Sequence, residues 1–135
     1  MLNGIKNMNP EKHSNNRYNL EDRLLDYAAM IVKLTNHLPA TRAGNHIANQ
    51  LLRSGTSPLS NHGEAESAES MPDFIHKLRI CLKEFRESKR WLRLIHKVMA
   101  PQNVPEITAT TNETDELIRI FVASIKTAEK RKADK

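Results

Sequence analysis

Apolar residues recur along this chain at steps of three and four. Leu20, Leu24, Tyr27, Ile31, Leu34 and Leu38 form the first such series. That spacing draws a stripe down one face of an α-helix and predicts a helix from about Asn19 to Asn36. Asn19 is a candidate cap, Glu21, Asp22 and Asp26 suit the positive end of the helix dipole, and Pro39 marks the stop. The second series is weaker. From about Thr41 to Ala68 the inward candidates are Gly44, Ile47, Ala48, Leu51, Gly55, Ser57, Asn61 and Ala65, mostly small or polar. Gly55 and Pro58 fall in its middle, where propensity alone breaks a helix near Ser54.

The third series is the longest. Phe74, Leu78, Cys81, Phe85, Ser88, Leu92, Ile95 and Met99 make a heptad seam over a helix from about Met71 to Met99. Ser70, with Pro72 in the first turn and Asp73 three residues on, has the form of a capping box. A second strip on this helix carries Ile80, Trp91, Leu94 and Val98, interrupted by Glu84 and Glu87. Two apolar faces predict contact with both the bundle and another subunit, and a single wide core face is the alternative. Residues 100–110 hold two prolines and read as a loop. Leu117, Phe121, Ile125 and Ala128 then predict a fourth helix from about Asn112 to Lys130, acidic at its start and basic at its end. Four helices with short connections predict an all-α, antiparallel up-down four-helix bundle over residues 19–130. Residues 1–18, rich in Asn and without periodicity, read as a disordered arm, and residues 131–135 as a basic tail.

Charge changes this picture most. The 135-residue chain carries a formal +5. Residues 71–100 hold eight Lys or Arg against three acids, and the rest of the chain balances to zero. Within the third helix His76, Arg79, Lys83, Arg86, Arg90, Arg93 and Lys97 follow one another at alternating steps of three and four. Those steps place them on one face, in a row roughly 32 Å long at the helical rise. A solvated face normally mixes signs, whereas this row contains no acid. It reads either as a face balanced by acids elsewhere or as a polyanion-binding surface, with RNA or DNA the natural polyanion. No aromatic residue interleaves it, which argues against stacking on single-strand bases.

Other chemistry is sparse. Ser57, Asn61 and Glu64 share one face of the second helix, but no histidine stands ready to activate the serine, so a polar network between helices is the simpler expectation. A di-iron bundle site needs paired acid–His motifs, and only Asp73–His76 has that spacing. His62 and Glu66 lack an evident third ligand, and the single Cys81 excludes an intrachain disulfide. No cofactor motif is present, and no catalytic residue is assigned. The chain shows neither a bilayer-spanning apolar run nor a signal-peptide core, so a cytoplasmic location is expected.

Three segments carry a resemblance. FIHKLRICLKEFRESKRWLRLI (74–95), ELIRIFVASIKTAEKRK (116–132) and QLLRSGTSPLSNHGEAESAES (50–70) resemble the third, last and second helices of the 23S rRNA intervening-sequence protein family, also called the four-helix bundle protein family. Ser57, Asn61 and Glu64 match a recurring Ser, Asn and Glu of its second helix. The chain departs from the family at Pro58, one residue early for the small residue or proline of that turn. It departs again at Arg90–Trp91, where Tyr-Trp is frequent. The resemblance implies small bacterial cytoplasmic proteins, some encoded within large-subunit rRNA genes. It implies one kinked second helix and a left-handed bundle that can assemble as a ring-like homopentamer. A similar bundle is a basic accessory protein of diversity-generating retroelements that binds nucleic acid and a reverse transcriptase. No catalytic activity is established for the family. The expectation is therefore a non-enzymatic homo-oligomer, a pentamer by resemblance. Its partners would be RNA or DNA, met through Arg79, Lys83, Arg86, Arg90, Arg93 and Lys97, and a reverse transcriptase or other protein. Ile80, Glu84, Glu87, Trp91, Leu94 and Val98 are its expected subunit contact. In the alternative, a protein-interaction scaffold, the basic row meets acids of a neighbouring subunit or partner protein.

Overall fold

The computed structural model describes residues 16–99 and 101–134 (side chains from Leu20 onward, Pro101 excepted). The four helices are α1 (Asn16–Asn36), α2 (Arg42–Glu66), α3 (Met71–Val98) and α4 (Val104–Ala133), with a 3-10 turn at Pro101–Asn103 before α4. The connections are too short to cross the bundle, so successive helices run antiparallel. α1 packs on α2, α2 on α3 and α3 on α4, and a thinner seam joins α4 to α1. Most of the expected N-terminal arm lies outside the described residues. Residues 16–18 belong to α1, which leaves Asn19 inside the helix rather than at its cap, and residues 131–133 belong to α4.

The core is aliphatic with a file of rings through it. Leu24, Tyr27, Ile31 and Leu34 face Leu51, Leu78, Phe85, Leu92, Ile95, Leu117 and Phe121. Tyr27 meets Phe85 edge-on at 5.5 Å, Phe85 meets Phe121 at 5.1 Å, and Phe121 meets His62 at 6.1 Å. Those separations are the edge-to-face range that aromatic quadrupoles favour. The first and third seams read from the sequence are the buried ones, with Ile75 added to α3 and the end members Leu20, Leu38, Phe74 and Met99 only half-buried.

α2 is one continuous helix through Pro58. Its buried residues are Gly44, Leu51, Ser54, Gly55, Pro58, His62 and Ala65. Gly44, Leu51, Gly55 and Ala65 are buried as expected, but between Gly55 and Ala65 the inward positions are Pro58 and His62, with Ser57 and Asn61 half-buried beside them. The reason is local. Pro58 packs its ring inward and leaves its carbonyl to accept a 3.7 Å bond from the Cys81 thiol of α3. Small residues let the neighbours close in: Ser54 meets Ser88 of α3 with a 2.8 Å hydroxyl contact. At the start of α2, Thr41 caps the helix by accepting from the Gly44 amide at 3.0 Å. A Cβ on Gly44 would lie 2.0 Å from the Pro39 carbonyl oxygen, so this turn requires glycine.

The segment read as a loop over 100–110 is largely helix. Pro105 lies in the first turn of α4, where its missing N–H is not needed. Ile107, Thr110 and Thr114 extend the buried face of α4 toward its start. The threonines are tolerated inside because each donates to its own helix, Thr110 to the Glu106 carbonyl at 2.9 Å and Thr114 to that of Thr110 at 2.7 Å.

Candidate nucleic-acid interface

All seven members of the basic row are exposed. Arg79 pairs with Glu129 of α4. For His76, Lys83, Arg86, Arg90, Arg93 and Lys97 no acidic partner stands within reach among the described residues. The acids of α4 explain why. Glu113 takes a two-pronged bond from Arg23 of α1, at 2.6 and 2.9 Å. Glu106 faces His37 at 2.9 Å, and Asp115 faces Lys89 at 2.8 Å. Glu116 accepts from Arg119 at 2.6 Å. That bond lowers the Glu116 carboxyl and raises the Arg119 guanidinium from their ordinary values. The hydrogen bond to Glu113 likewise raises Arg23, against the opposing pull of desolvation.

The row borders the α3–α4 groove. Three shallow depressions follow it. The first, of about 400 Å³, is bounded by Arg79, Lys83 and Arg86 above Ile125. The second, of about 380 Å³, lies among Arg86, Arg90, Arg93 and Arg119, with the Lys89–Asp115 pair on its lining. The third, of about 560 Å³, lies between Arg93, His96 and Lys97 of α3 and Thr108, Thr111 and Asn112 of α4. Arg119 and His96 were not in the sequence-derived set. Arg119 reaches the groove through the α3–α4 pairing marked by Lys89–Asp115, a register that helix periodicity does not encode.

The second strip of α3 lies beside α2. Arg53 of α2 pairs with Glu84 at 3.3 Å and also with Glu87. Trp91 donates its indole N–H to Glu87 at 3.1 Å and meets His46 edge-on at 5.9 Å. Ile80, Glu84, Glu87 and Trp91 are half-buried within the one chain. Leu94 and Val98 are 41% and 66% exposed. Arg53 is the residue that periodicity missed, because its acids lie on another helix.

Ser57, Asn61 and Glu64 do not form a joint site. Glu64 turns outward to Lys77 at 2.7 Å, and neither of the other two side chains bonds it. The buried polar bonds lie elsewhere, at Ser54–Ser88 and at Tyr27–Thr114. Asp73 and His76 are both exposed on the first turns of α3. Among the described residues no three His, Cys, Asp or Glu side chains converge as a metal site would need. No helix among them is long and apolar enough to cross a membrane.

Fold and surface define a class: an all-α four-helix bundle with a mainly cationic groove beside its third helix. The family model described as 23S rRNA-intervening sequence protein matches residues 19–123. The chain belongs to that family. A solved structure from Bacteroides thetaiotaomicron VPI-5482, a protein with unknown function from the S23 ribosomal protein family, is 34% identical. The likeness covers 78% of this chain and 97% of that one, with a TM-score of 0.71. No curated protein matches the chain.

Proposed function

We propose that this protein is a non-enzymatic, homo-oligomeric bundle of the bacterial cytoplasm that binds structured RNA or DNA by its phosphates along the α3–α4 groove. One observation carries the reading: Lys83, Arg86, Arg90, Arg93 and Lys97 stand exposed in sequence along one groove, while the acids nearest them are already paired. A row of cations without counter-charge gains most from a ligand that releases condensed counterions. Three of the five are arginines, whose forked guanidinium suits phosphate oxygens. A ring of subunits, a pentamer by family resemblance, would repeat the groove and raise avidity.

The test is the salt dependence of binding to duplex RNA and duplex DNA. The expected result is a steep fall in affinity with salt, and a shallower slope in Arg86→Ala and Arg90→Ala. Absence of binding at low salt overturns the reading.

One observation favours the scaffold alternative. Glu21, Asp22 and Asp26 are exposed on α1 with no cation against them among the described residues, and Leu25 beside them is 55% exposed. This face complements the basic groove of a second copy or the surface of a partner such as a reverse transcriptase. In that case Arg86→Ala dissociates the oligomer in size-exclusion chromatography with light scattering and leaves nucleic-acid affinity unchanged.

A further inference from the structure

The third depression differs from the other two. It is the largest of the three, at about 560 Å³, and its surface is mostly apolar, supplied by the aliphatic stems and methyls of its walls above the fully buried Leu92. One wall carries three cationic or ionisable groups, Arg93, His96 and Lys97. The opposite wall carries Thr108, Thr111 and Asn112. The Thr111 hydroxyl donates to the Ile107 carbonyl at 2.8 Å, so its oxygen is left as an acceptor toward the pocket. The Asn112 amide is exposed and offers a donor and an acceptor together.

An apolar surface, a polar edge and a cationic wall fit an amphipathic anion. The volume lies within the range of small-molecule sites. Position selects among amphipathic anions. Arg93 and Lys97 belong to the basic row, and α3 ends at Val98, so the pocket closes the row at one end. A strand followed along the row by its phosphates brings its last nucleotide here. We propose that this pocket holds the terminal nucleotide of a nucleic-acid strand bearing an end phosphomonoester. The base lies against the apolar surface toward Asn112, and the phosphate faces Arg93, His96 and Lys97. A phosphomonoester carries nearly twice the charge of an internal diester, which the three-membered wall matches. The proposal rests on the groove reading above, and it adds recognition of an end to recognition of a backbone.

The experiment compares three forms of one duplex with the full chain: covalently closed at both ends, linear with end phosphates, and linear with end hydroxyls. The phosphorylated duplex is expected to bind about tenfold more tightly than the hydroxyl form, the scale of one charge-assisted hydrogen bond. His96→Ala, at an exposed position, is expected to abolish that preference; Arg90→Ala is expected to weaken all three forms alike and to leave the preference in place. Adenosine monophosphate should displace the phosphorylated end at concentrations where inorganic phosphate does not. If the closed duplex fails to bind, the groove reading falls. If it binds but phosphorylation adds nothing, the end pocket falls and the groove stands. Equal competition by inorganic phosphate reduces the pocket to an anion site and overturns nucleotide recognition.

Discussion

Ile31 of α1 rests on the bare backbone of Gly55 in α2, so closely that a Cβ on Gly55 would sit 2.6 Å from the Ile31 Cγ1. Three Ile31 carbons lie within 2.8 Å of that point, so no single rotation clears it. Gly55→Ala gains about 1 kcal/mol of helix propensity but meets an overpacking cost of about 1–3 kcal/mol. The expected outcome is net destabilisation in urea unfolding. In an Ile31→Ala background the same substitution should stabilise, because the clash is gone. Additive effects in the double-mutant cycle would count against the close approach.

The Ser54–Ser88 pair joins α2 to α3 in fully buried surroundings. Ser88→Ala leaves the Ser54 hydroxyl with only a 3.5 Å contact to the Leu51 carbonyl. A cost of about 1–3 kcal/mol is expected for that stranded group. Replacing both serines by alanine should cost less than the sum of the two single changes, as measured by denaturant midpoints.

The basic row also acts on stability. Like charges at i,i+4 on a helix cost about 0.2–0.5 kcal/mol per pair. Replacing Lys83, Arg86, Arg90 and Arg93 by Gln should therefore raise the melting temperature by several degrees at low salt. The difference should shrink at high salt, where exposed charges are screened. A melting temperature that falls instead would point to counter-charges supplied by a neighbouring subunit.

Burial pushes the Tyr27 phenol up from 10.0 to about 12, and the Cys81 thiol up from 9.0 to about 12. Both groups are neutral inside the fold and ionise sooner in the unfolded chain. The stability they contribute is complete below the unfolded values and is lost as pH rises from about 9 toward 12. Tyr27 is a bond donor here, since Thr114 already donates to Thr110. Tyr27→Phe should cost only about 1 kcal/mol at neutral pH. It should also flatten the alkaline limb of stability above pH 10, leaving the part due to Cys81. An unchanged limb would show that Tyr27 does not set it.

Much of this fold was legible in the sequence because seams are periodic. The series from Leu20 to Leu38 and from Phe74 to Met99 marked two helices to within a few residues. The start of α4 was hidden because Pro105 has the look of a breaker, whereas in the first turn it is neutral and the threonines behind it bond back to their own helix. The inward face of α2 was misread at Pro58 and His62, since a proline ring and an imidazole that packs on Phe121 carry no apolar signature. The basic row itself needed one helix only, and so was visible. Arg53 with Glu84 and Glu87, Lys89 with Asp115, and Arg119 in the groove needed two helices in register, which one sequence does not supply.

α3 is uninterrupted from Met71 to Val98 and is flanked on both sides, by α2 and by α4. Its cations therefore stand like graduations on a stiff rule, at intervals set by the helical rise and not by side-chain choice. A phosphate polymer of fixed pitch can be measured against such a rule, and one that coils freely cannot. Under the proposed nucleic-acid reading, and with no aromatic in the row to stack on bases, selection among nucleic acids would fall on their stiffness.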